Sequence, residues 1–572
     1  MSSPRKQWRT AEADGAVAGR LASGLGVPLK LGHVLAGRGF GDVAAAGRFL
    51  DPRLRDLSDP FDLPGMTAAA DRILQALARG ERIAVFGDYD VDGITGTLLL
   101  RSVLRCLGGC AESFLPDRHR DGYGLTAGPL QRCLETHDPG LLITVDCGTS
   151  AVEPVALANE KGIDVIVTDH HELHGEAARA LALVNPKQDG CEPTRELAGV
   201  GVAFKLCHAV VKRGLEQELA LPPIDLREWL DLVALGVVAD VVPLTGENRI
   251  LARRGLERLN RAPRPGVEAL LRVSGVRRPV RGGHVAFMLA PRLNAAGRMG
   301  DANEALELLV TEDPAAADDL ARRLDRANEE RRRIEQRILA RAQEQVEALY
   351  DAEARYGLVA AGDGWDVGVI GIVASRLCET HRCPSVVIGF GDDGVGRGSA
   401  RSAAGVDVLE ALRACHDLLE GYGGHTAAAG LTVRRDALDA FRERLNEHCA
   451  AELESKDRRP TVMIDAWLDL GEADYPLLEA LSRLAPFGVG NPEPKLGFRD
   501  VRILGPPRIV GSNHLKMTLT QGARRIEAIA FGMANERVPE GGLDVVGVLQ
   551  DNAYGGRSTL QVKVTDFRAA KR

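Results

Sequence analysis

The segment Ile83-Ala84-Val85-Phe86-Gly87-Asp88-Tyr89-Asp90-Val91-Asp92-Gly93 is an apolar run that leads directly into three alternating aspartates. Four apolar residues ahead of a glycine are typical of a buried strand in a parallel α/β sheet. Sites in such sheets form beyond the carboxyl ends of the strands. Because three neighbouring carboxylates repel one another unless a cation lies between them, the segment predicts a metal site at the edge of a parallel sheet.

A calcium loop and a solvated acidic turn are the alternatives for this segment. The calcium loop is disfavoured because the distal glutamate of an EF-hand is missing. The acidic turn is disfavoured by two similar segments: Asp146 follows Leu142-Ile143-Thr144-Val145, and Asp169-His170-His171 follows Val165-Ile166-Val167-Thr168. Since the strand ends of one parallel sheet lie at the same edge, we expect these side chains to converge.

Asp240 ends a further apolar run, Leu235-Gly236-Val237-Val238-Ala239, and completes a set of carboxylates and imidazoles. This donor set suits Mn²⁺ or Mg²⁺, with Mn²⁺ favoured by the nitrogen ligand. So many acids indicate more than one ion, and two ions about 3.5–4 Å apart can activate water for displacement at phosphorus. Bound dications also reverse the repulsion that an acidic pocket exerts on a phosphodiester.

The chain predicts an α/β protein of several domains, because 572 residues exceed what one core accommodates. Strands alternate with amphipathic segments over residues 80–245, and again over residues 357–450 with strands near Leu358-Val359-Ala360 and Ser385-Val386-Val387-Ile388. Residues 315–356 lack glycine and proline and predict one long connecting helix. Its run Glu329-Glu330-Arg331-Arg332-Arg333 is interpreted as a solvated helix face.

The two ends of the chain predict smaller parts. Residues 456–572 contain short β-strands, for example 525–531 and 560–564, and an OB-like barrel is expected there. The first 80 residues predict an irregular helical cap. A cytoplasmic location is expected, because no apolar run is long enough to cross a bilayer and no apolar signal segment follows the polar start.

Composition restricts the possible functions. The net charge of −8 and the pI of about 6.0 argue against a generic polyanion binder, so a nucleic-acid enzyme must here concentrate its positive charge in a groove. Aromatic residues make up 4% of the chain, which argues against an extensive base-stacking platform. The ten cysteines form no Cys-x-x-Cys pair, and buried reduced thiols are expected.

Four motifs, at residues 87–93, 145–148, 168–171 and 234–240, resemble those of the DHH superfamily of phosphoesterases, in the same order. They are similar to the versions in its single-strand-specific 5′→3′ exonucleases rather than in its pyrophosphatases. The resemblance implies that the metal site is formed by Asp88, Asp90, Asp92, Asp146, His170 and Asp240. It places Asp146 as the bridging ligand, Asp88 and Asp169 as close supports, and His171 facing the scissile phosphate.

Downstream motifs extend the resemblance over nearly the whole chain. Residues 291–299 resemble a motif that follows the catalytic domain, residues 368–376 and 421–425 resemble the DHHA1 domain, and residues 484–492 resemble the entry to the OB-like domain. The substrate-binding residues that it implies are Arg118, Ser399 and Arg401 for a 5′-phosphate, Arg292 and Arg298 for the nucleotide path, and Gly424 and His425 for close approach to a phosphate.

Two observations lie outside this pattern. Asp366 stands where the family has histidine ahead of Gly368-Val369-Ile370, so the resemblance implies no DNA contact for this side chain. The string Gly282-Gly283-His284 repeats the Gly-Gly-His of residues 423–425, and we treat the repetition as chance.

The resemblance implies five segments: an N-terminal cap over 1–80, a DHH catalytic domain with a parallel sheet over 81–300, a connecting helix over 301–356, a DHHA1 α/β domain over 357–455 and an OB-like β-barrel over 456–572. It implies an exonuclease that uses two Mn²⁺ or Mg²⁺ ions to degrade single-stranded DNA from a 5′ end in recombination and repair. A monomer that works with a single-strand-binding protein and a helicase is expected.

Two other functions compete with this one. A short-oligonucleotide or cyclic-dinucleotide phosphodiesterase would share the metal site, but the size of the chain and its C-terminal domain count against that function. A non-catalytic DNA-binding scaffold would have no need for so many mutually repelling carboxylates.

Overall fold

The computed structural model describes residues 6–122, 124–173, 175–192, 194–261, 263–352, 354–403, 405–554 and 557–570. The chain forms two compact units. Unit 1 comprises Met1–Leu57, Pro243–Arg253 and Arg459–Arg572, and unit 2 comprises Ser58–Val242 and Arg254–Arg458. Residues 1–80, grouped above as one cap, are thus divided between the two units, and the five-part division stays a prediction.

The strands are, in chain order, β1 (Gln7–Thr10), β2 (Arg82–Phe86), β3 (Cys110–Phe114), β4 (Leu141–Val145), β5 (Asp164–Thr168), β6 (Ala182–Val184), β7 (Leu358–Asp363), β8 (Ser385–Phe390), β9 (Val395–Arg401), β10 (Gly421–Gly424), β11 (Ala428–Arg434), β12 (Thr461–Ile464), β13 (Ala466–Leu468), β14 (Leu496–Ile503), β15 (Arg508–Val510), β16 (His514–Gln521), β17 (Arg524–Phe531), β18 (Leu543–Tyr554) and β19 (Arg557–Ala569).

The α-helices are, in chain order, α1 (Gly15–Leu25), α2 (Leu29–Gly37), α3 (Val43–Leu50), α4 (Met66–Arg79), α5 (Val91–Cys106), α6 (Arg118–Asp121), α7 (Ala127–His137), α8 (Val152–Glu160), α9 (Gly199–Glu216), α10 (Leu230–Ala239), α11 (Gly246–Arg261), α12 (Pro265–Ser274), α13 (Gly282–His284), α14 (Ala290–Met299), α15 (Asn303–Val310), α16 (Pro314–Leu349), α17 (Val367–His381), α18 (Val408–Arg413), α19 (Leu438–Leu453) and α20 (Tyr475–Ser482).

A parallel sheet with the strand order β3-β2-β4-β5-β6 forms the centre of unit 2. The strand β4 is buried along its whole length, as expected of a strand covered by helices on both faces. Val85 lies opposite Ile143, and Ile143 opposite Ile166, so the carboxyl ends of β2, β4 and β5 share one edge. The parallel α/β sheet predicted from the apolar runs is confirmed.

A second sheet in unit 2 has the order β10-β11-β9-β8-β7. The pair β7 and β8 is parallel and the other pairs are antiparallel. Its core comprises buried apolar residues from β8 and α19, among them Val386, Ile388 and Phe441. This part confirms the second α/β pattern of the sequence.

The long helix is α16, which ends at Leu349 rather than continuing to residue 356. Its buried residues recur every three or four positions, and this spacing places Arg331 on the inner face together with Asn328 and Glu335. The interpretation of residues 329–333 as a solvated face is therefore wrong for Arg331, which is 7% exposed and donates hydrogen bonds to Glu335 (2.7 Å) and Asn328 (2.9 Å).

Unit 1 contains the OB-like barrel that the sequence predicts. Its strands follow the order β13-β14-β18-β19-β17-β16-β15, and pairing of β14 with β16 closes the sheet on itself. Residues of α1–α3, such as Leu21 and Leu35, belong to the same core cluster as Phe498 of the barrel. Closure removes exposed strand edges, which stabilises a small β-domain.

Two features of the whole chain concern its surroundings. Over the described residues, no helix has both the length and the hydrophobicity needed to span a membrane. Eight cysteines are buried thiols as expected, but Cys106 and Cys110 are exposed, so the expectation of buried thiols is wrong for these two. They lie at the end of α5 and the start of β3, where the turn between the elements faces solvent.

Candidate metal centre

Seven side chains from four segments of the chain meet at the carboxyl edge of the parallel sheet. The His170 Nε2 atom lies 3.0 Å from Asp146 Oδ1, 3.6 Å from Asp240 Oδ2 and 3.8 Å from Asp92 Oδ2. Groups of donor atoms within 4.8 Å of one another are formed by Asp146, His170 and His171, by Asp92, His170 and Asp240, and by Asp88, Asp90 and Asp146. The structure thus brings together the residues that the sequence separates by up to 152 positions.

The loop after β2 carries three of these aspartates, and hydrogen bonds to Asp90 hold its end. Asp90 is the N-cap of α5, where its Oδ1 atom accepts from the backbone N–H groups of Asp92 (2.9 Å) and Gly93 (3.0 Å). Such caps satisfy the first N–H groups of a helix. Gly93 is required, because a Cβ atom there would lie 2.6–2.8 Å from backbone atoms of Asp88.

Asp92 is held by the start of α9. Its Oδ2 atom accepts from the Gly199 N–H (2.6 Å) and its Oδ1 atom from the Val200 N–H (2.9 Å). Burial, and next the charge of Asp90, raise the pKa of Asp92 to about 7, against the opposing effect of these hydrogen bonds. The sequence analysis missed the α9 amides as functional groups. The one available signal was the pair of glycines in Gly199-Val200-Gly201, which permits a close approach of the α9 backbone to another element.

Asp169 orients the histidine pair. Its Oδ1 atom accepts from the His170 N–H (2.7 Å) and lies 2.7 Å from the Nδ1 atom of His171, while its Oδ2 atom accepts from the Thr149 N–H (3.0 Å). Burial alone would raise the pKa of Asp169, but the hydrogen bond from His171 lowers it. Burial alone would likewise lower the pKa of His171, but the same hydrogen bond raises it. Asp169 is therefore ionised, and both of its oxygens already accept hydrogen bonds from the protein.

Asn185 is a second contributor that the sequence did not reveal. Its side-chain amide donates to the His171 carbonyl oxygen (2.9 Å) and to Thr149 Oγ1 (2.8 Å). It follows β6 directly, and it is buried. The backbone of the histidine pair is thus fixed from two neighbouring strand ends.

Four buried atoms of the centre have no hydrogen-bond partner among the described residues: Asp88 Oδ1, Asp146 Oδ1, His170 Nε2 and Asp240 Oδ2. An unpaired buried polar atom is costly, so such atoms call for a missing partner. Burial, and next the neighbouring aspartates, raise the pKa of Asp88 and of Asp146 well above the usual range and that of Asp240 to about 9. Burial lowers the pKa of His170 to about 3, which leaves a neutral imidazole.

This donor set fits divalent cations. Oxygen atoms from carboxylates and a neutral imidazole nitrogen are the ligands that Mn²⁺ and Mg²⁺ sites in proteins use, with nitrogen favouring Mn²⁺. Cations would supply the partner that the unpaired atoms lack and remove the repulsion that raises the carboxylate pKa values. Asp146 occurs in two of the three donor groups, and its backbone is held in the left-handed region (φ 64°), which is uncommon outside glycine and recurs at functional sites.

Three of the candidate substrate arginines lie near one another in unit 2. The Arg118 guanidinium stacks 4.9 Å above the Tyr89 ring centroid, next to the metal loop. Burial, and next the charges of Arg118 and Arg331, lower the pKa of Arg298 to about 10; burial and Arg118 also lower the pKa of Arg401. Three neighbouring cations at one place indicate a site that suits an anion.

Ser399 and Arg401 occur side by side at the end of β9, where Arg401 Nη1 donates to Ser399 Oγ (2.8 Å). Gly371 of α17 permits this arrangement, because a Cβ atom there would lie 3.0 Å from both side chains. Gly424 pairs with Ala429, which pairs with Ala400, so the tight turn at His425 belongs to the same rows of the sheet.

Arg292 is bound within the protein. Its Nε atom donates to Asp325 (2.8 Å) and its Nη1 atom to the Met288 carbonyl oxygen (2.6 Å). Asp366, the departure from the family pattern, is the N-cap of α17 and accepts from the Gly368 N–H (2.7 Å). The predicted contact of Arg292 with the nucleotide path stays a prediction.

The fold and the centre define a DHH-type phosphoesterase: residues 82–237 match the DHH family, N-terminal domain, residues 355–451 match the DHHA1 domain, and residues 464–566 match the RecJ OB domain. The single-stranded-DNA-specific exonuclease RecJ of Bacillus subtilis (strain 168) is 36% identical over 99% of this chain and 71% of its own length, and that of Dickeya dadantii (strain 3937) is 38% identical over 90% and 92%. The chain belongs to the RecJ family.

Solved structures agree with this assignment. The crystal structure of RecJ in complex with Mn²⁺ from Thermus thermophilus is similar over 99% of this chain and 80% of that chain, with a TM-score of 0.84 and 32% sequence identity. The same relative is also known in complex with Mg²⁺. The α/β fold with DHH, DHHA1 and OB parts is thereby confirmed.

Proposed function

We propose that this chain is a single-stranded-DNA-specific exonuclease that removes nucleotides from a 5′ end by metal-dependent phosphodiester hydrolysis. The observation that carries the proposal is the set of unpaired buried atoms of Asp88, Asp146, His170 and Asp240, in a chain of the RecJ family. We assign the reaction from the activity of the family, and the carboxylate and imidazole donors provide the cation-binding groups that this reaction needs. A role in DNA recombination and repair accompanies this activity.

The cofactors are two divalent cations, Mn²⁺ or Mg²⁺. The residues that hold them are Asp88, Asp90, Asp92, Asp146, His170 and Asp240. Asp146 and His170 each belong to two donor groups, and of the two we assign Asp146 as the shared ligand because a carboxylate has two oxygens with which to reach two ions. When bound, such a pair of ions activates water and stabilises the charge that develops at phosphorus.

The chain's own residues orient the reaction. His170 presents a neutral ring nitrogen because burial disfavours its protonated form. Asp169 holds the Nδ1 side of His171, and we assign the other ring nitrogen, Nε2, to the scissile phosphate, where it holds a proton. Gly199 and Val200 keep Asp92 in place, so the carboxylates do not need to reorganise when substrate binds.

Arginines and neighbouring polar residues form the substrate-binding part of the proposed active site. Arg118, Ser399 and Arg401 bind the 5′-terminal phosphate, because guanidinium groups match phosphate oxygens in pairs. Arg298, whose Nη1 atom donates to the Gly368 carbonyl oxygen (2.8 Å), lies along the nucleotide path. Gly424 and His425 approach the phosphate backbone, and the OB domain extends the contact through the phosphates.

The setting of the enzyme is part of the proposal. A monomer in the cytoplasm acts on strands that a helicase unwinds and a single-strand-binding protein covers. Ten cysteines of which none is joined to another in a disulfide are usual for a protein of a reducing compartment.

Digestion of long 5′-phosphorylated single strands, with and without Mn²⁺, tests the function. We expect release of 5′ nucleotides that depends on Mn²⁺ and is abolished in Asp146→Ala, with unchanged circular dichroism. Digestion of dinucleotides alone would instead identify an oligonucleotide phosphodiesterase, and binding without cleavage would identify a scaffold.

The 5′-phosphate contact is tested by Arg401→Ala, which should lower kcat/KM more for phosphorylated than for hydroxyl ends. Arg434→Ala is the matched control: it is an exposed arginine on β11, and it lies six residues, or about 20 Å, from the row that pairs with Arg401. Equal losses of Arg401→Ala on both kinds of end would contradict the assignment.

A further inference from the structure

Phe287 is the most exposed large hydrophobic side chain among the described residues, with 76% of its surface in water. It lies in a single π-helical turn, Val285–Leu289, between α13 and α14. Turns of this kind are rare within helices and are frequent at functional sites. Because single exposed apolar side chains are ordinary on protein surfaces, the surroundings of the ring decide its meaning.

The segment that leads to Phe287 along the chain is basic and exposed. Arg277 and Arg281 are exposed and, in the described part of the chain, form no ion pair, whereas Arg278 between them is bound to Glu268. Burial, and next the charge of Arg281, lower the pKa of His284, which places this ring beside Arg281. Gly283 leaves free space, since a Cβ atom there would meet nothing within 4 Å.

The helix that follows connects Phe287 to the metal loop. Asn294 of α14 accepts from the Val91 N–H (3.1 Å), and Gly297 packs so closely that a Cβ atom there would lie 2.8 Å from the Tyr89 carbonyl oxygen. Seven residues separate Phe287 from Asn294, which corresponds to about 10 Å of helical rise. A strand held at the metal centre covers that distance within a few nucleotides.

We propose that Phe287 stacks on a base of the unpaired DNA strand, with Arg277 and Arg281 as contacts for the adjoining phosphates. The proposal rests on the proposed exonuclease function and extends its binding site. Exposed aromatic faces together with exposed cations are the means by which proteins hold single strands without reading their sequence. The bases within a duplex are already stacked on both faces, so this contact favours single strands.

The proposal agrees with the composition of the chain. With 4% aromatic residues, an extensive stacking platform is not expected, but one ring at the point where the strand enters needs no platform. Gly283, four residues before Phe287, faces open space, so the surface beside this turn can accommodate a strand.

The test uses the full chain and 5′-phosphorylated oligonucleotides in Mn²⁺. Phe287→Ala should lower kcat/KM about 5- to 150-fold through KM, the range that alanine substitution of a base-stacking residue gives. Phe287→Tyr and Phe287→Trp should retain most of the activity, because the aromatic face remains. Leu215→Ala is the control: Leu215 is 69% exposed and ends α9 about 24 Å of helical rise from Gly199.

Oligonucleotides with one abasic site at successive positions give the specific readout. The penalty of Phe287→Ala should disappear when the missing base is the one that stacks on the ring, and it should persist at other positions. An unchanged kcat/KM on all substrates, or a penalty that is the same at every abasic position, would overturn the proposal. Light scattering that shows loss of a dimer in Phe287→Ala, with unchanged kinetics, would assign the ring to contact between copies and would also overturn it.

A binding assay separates this proposal from the proposed function. The Kd for the oligonucleotide, measured by fluorescence anisotropy, should rise in Phe287→Ala whether or not the wild type cleaves the strand. Arg281→Ala should lower the slope of log Kd against log salt concentration by about the amount that one phosphate contact contributes. Melting temperature and Mn²⁺ affinity equal to the wild type show that the variants are folded; an unchanged Kd in such a folded Phe287→Ala protein refutes the stacking role.

Discussion

Gly199→Ala tests how strictly the metal centre depends on a close approach between two elements. Gly199 is the first residue of α9, and its N–H donates to Asp92. A Cβ atom at this position would lie 2.8 Å from the Cβ and Oδ1 atoms of Asp146 and 2.9 Å from its Cγ atom. One methyl group thus presses on the proposed shared ligand without removing any donor atom.

The magnitude follows from these distances. Ordinary contacts begin at 3.4 Å, so the Asp146 carboxylate or the start of α9 has to move by about 0.6 Å. The left-handed backbone of Asp146 and the two hydrogen bonds of Asp92 leave little freedom to absorb this shift. Changes to groups that support metal ligands cost about 10- to 100-fold in affinity, and a displacement near 1 Å costs up to about 100-fold in rate.

Calorimetric titration with Mn²⁺ and nuclease kinetics at saturating Mn²⁺ measure the two effects separately. Gly128→Ala is the matched control, because Gly128 is also near the start of a helix and its added Cβ would meet only Arg132 Nη1 at 3.8 Å. The control should keep wild-type affinity and rate. A folded Gly199→Ala protein that binds Mn²⁺ and cleaves DNA like the wild type would refute the reasoning.

Two further predictions concern charge and capping. Burial raises the pKa of Asp92 to about 7 and of Asp240 to about 9, so the folded, metal-free protein binds more protons than the unfolded chain above pH of about 4. Its melting temperature should therefore fall between pH 5 and pH 9, and saturating Mn²⁺ should flatten that dependence; a metal-free protein that becomes more stable with rising pH would contradict the assignment. Asp366→Ala should lower the stability of the fold by about 1 kcal/mol, because the α17 cap is lost, and it should leave Mn²⁺ affinity unchanged. Asp366→Asn should retain most of the wild-type stability, because asparagine also caps helices. Thermal melting measures the stability, and calorimetry measures the affinity.

The sequence predicted the convergence of the acidic and histidine side chains better than the groups that support them. Asp146 and the pair His170 and His171 follow apolar runs, and the geometry of parallel strands makes such residues converge. Asp240 also converges, but the run before it is the helix α10 rather than a strand, since short apolar runs do not distinguish the two. A backbone amide contributes no side chain that a sequence pattern could show. The hydrogen bonds from the Gly199 and Val200 amides to Asp92 therefore become visible only in the structure.

The arginines are the residues whose roles the sequence alone does not determine. Arg292 and Arg298 belong to one motif, yet Arg292 is bound to Asp325 in the next long helix, while Arg298 lies among other cations. Arg331 lies in a run of charged residues, yet it is buried against Glu335. Arg292 is fixed by a partner on another helix and Arg331 by partners on the buried face of its own helix, and side-chain type alone identifies neither.

The hydrogen bonds divide the carboxylates of the centre into two kinds. Both oxygens of Asp169 and of Asp92 accept from backbone N–H groups, whereas Asp88, Asp146 and Asp240 each keep a buried oxygen without a partner among the described residues. Donors from the fold fix the positions of the first kind before any cation arrives. The second kind depends on the cations for its compensating charge, and burial makes protonation its only alternative. We therefore expect cation binding to be coupled to loss of protons from Asp146 and Asp240, so that the coupling occurs at the proposed shared ligand rather than at Asp169.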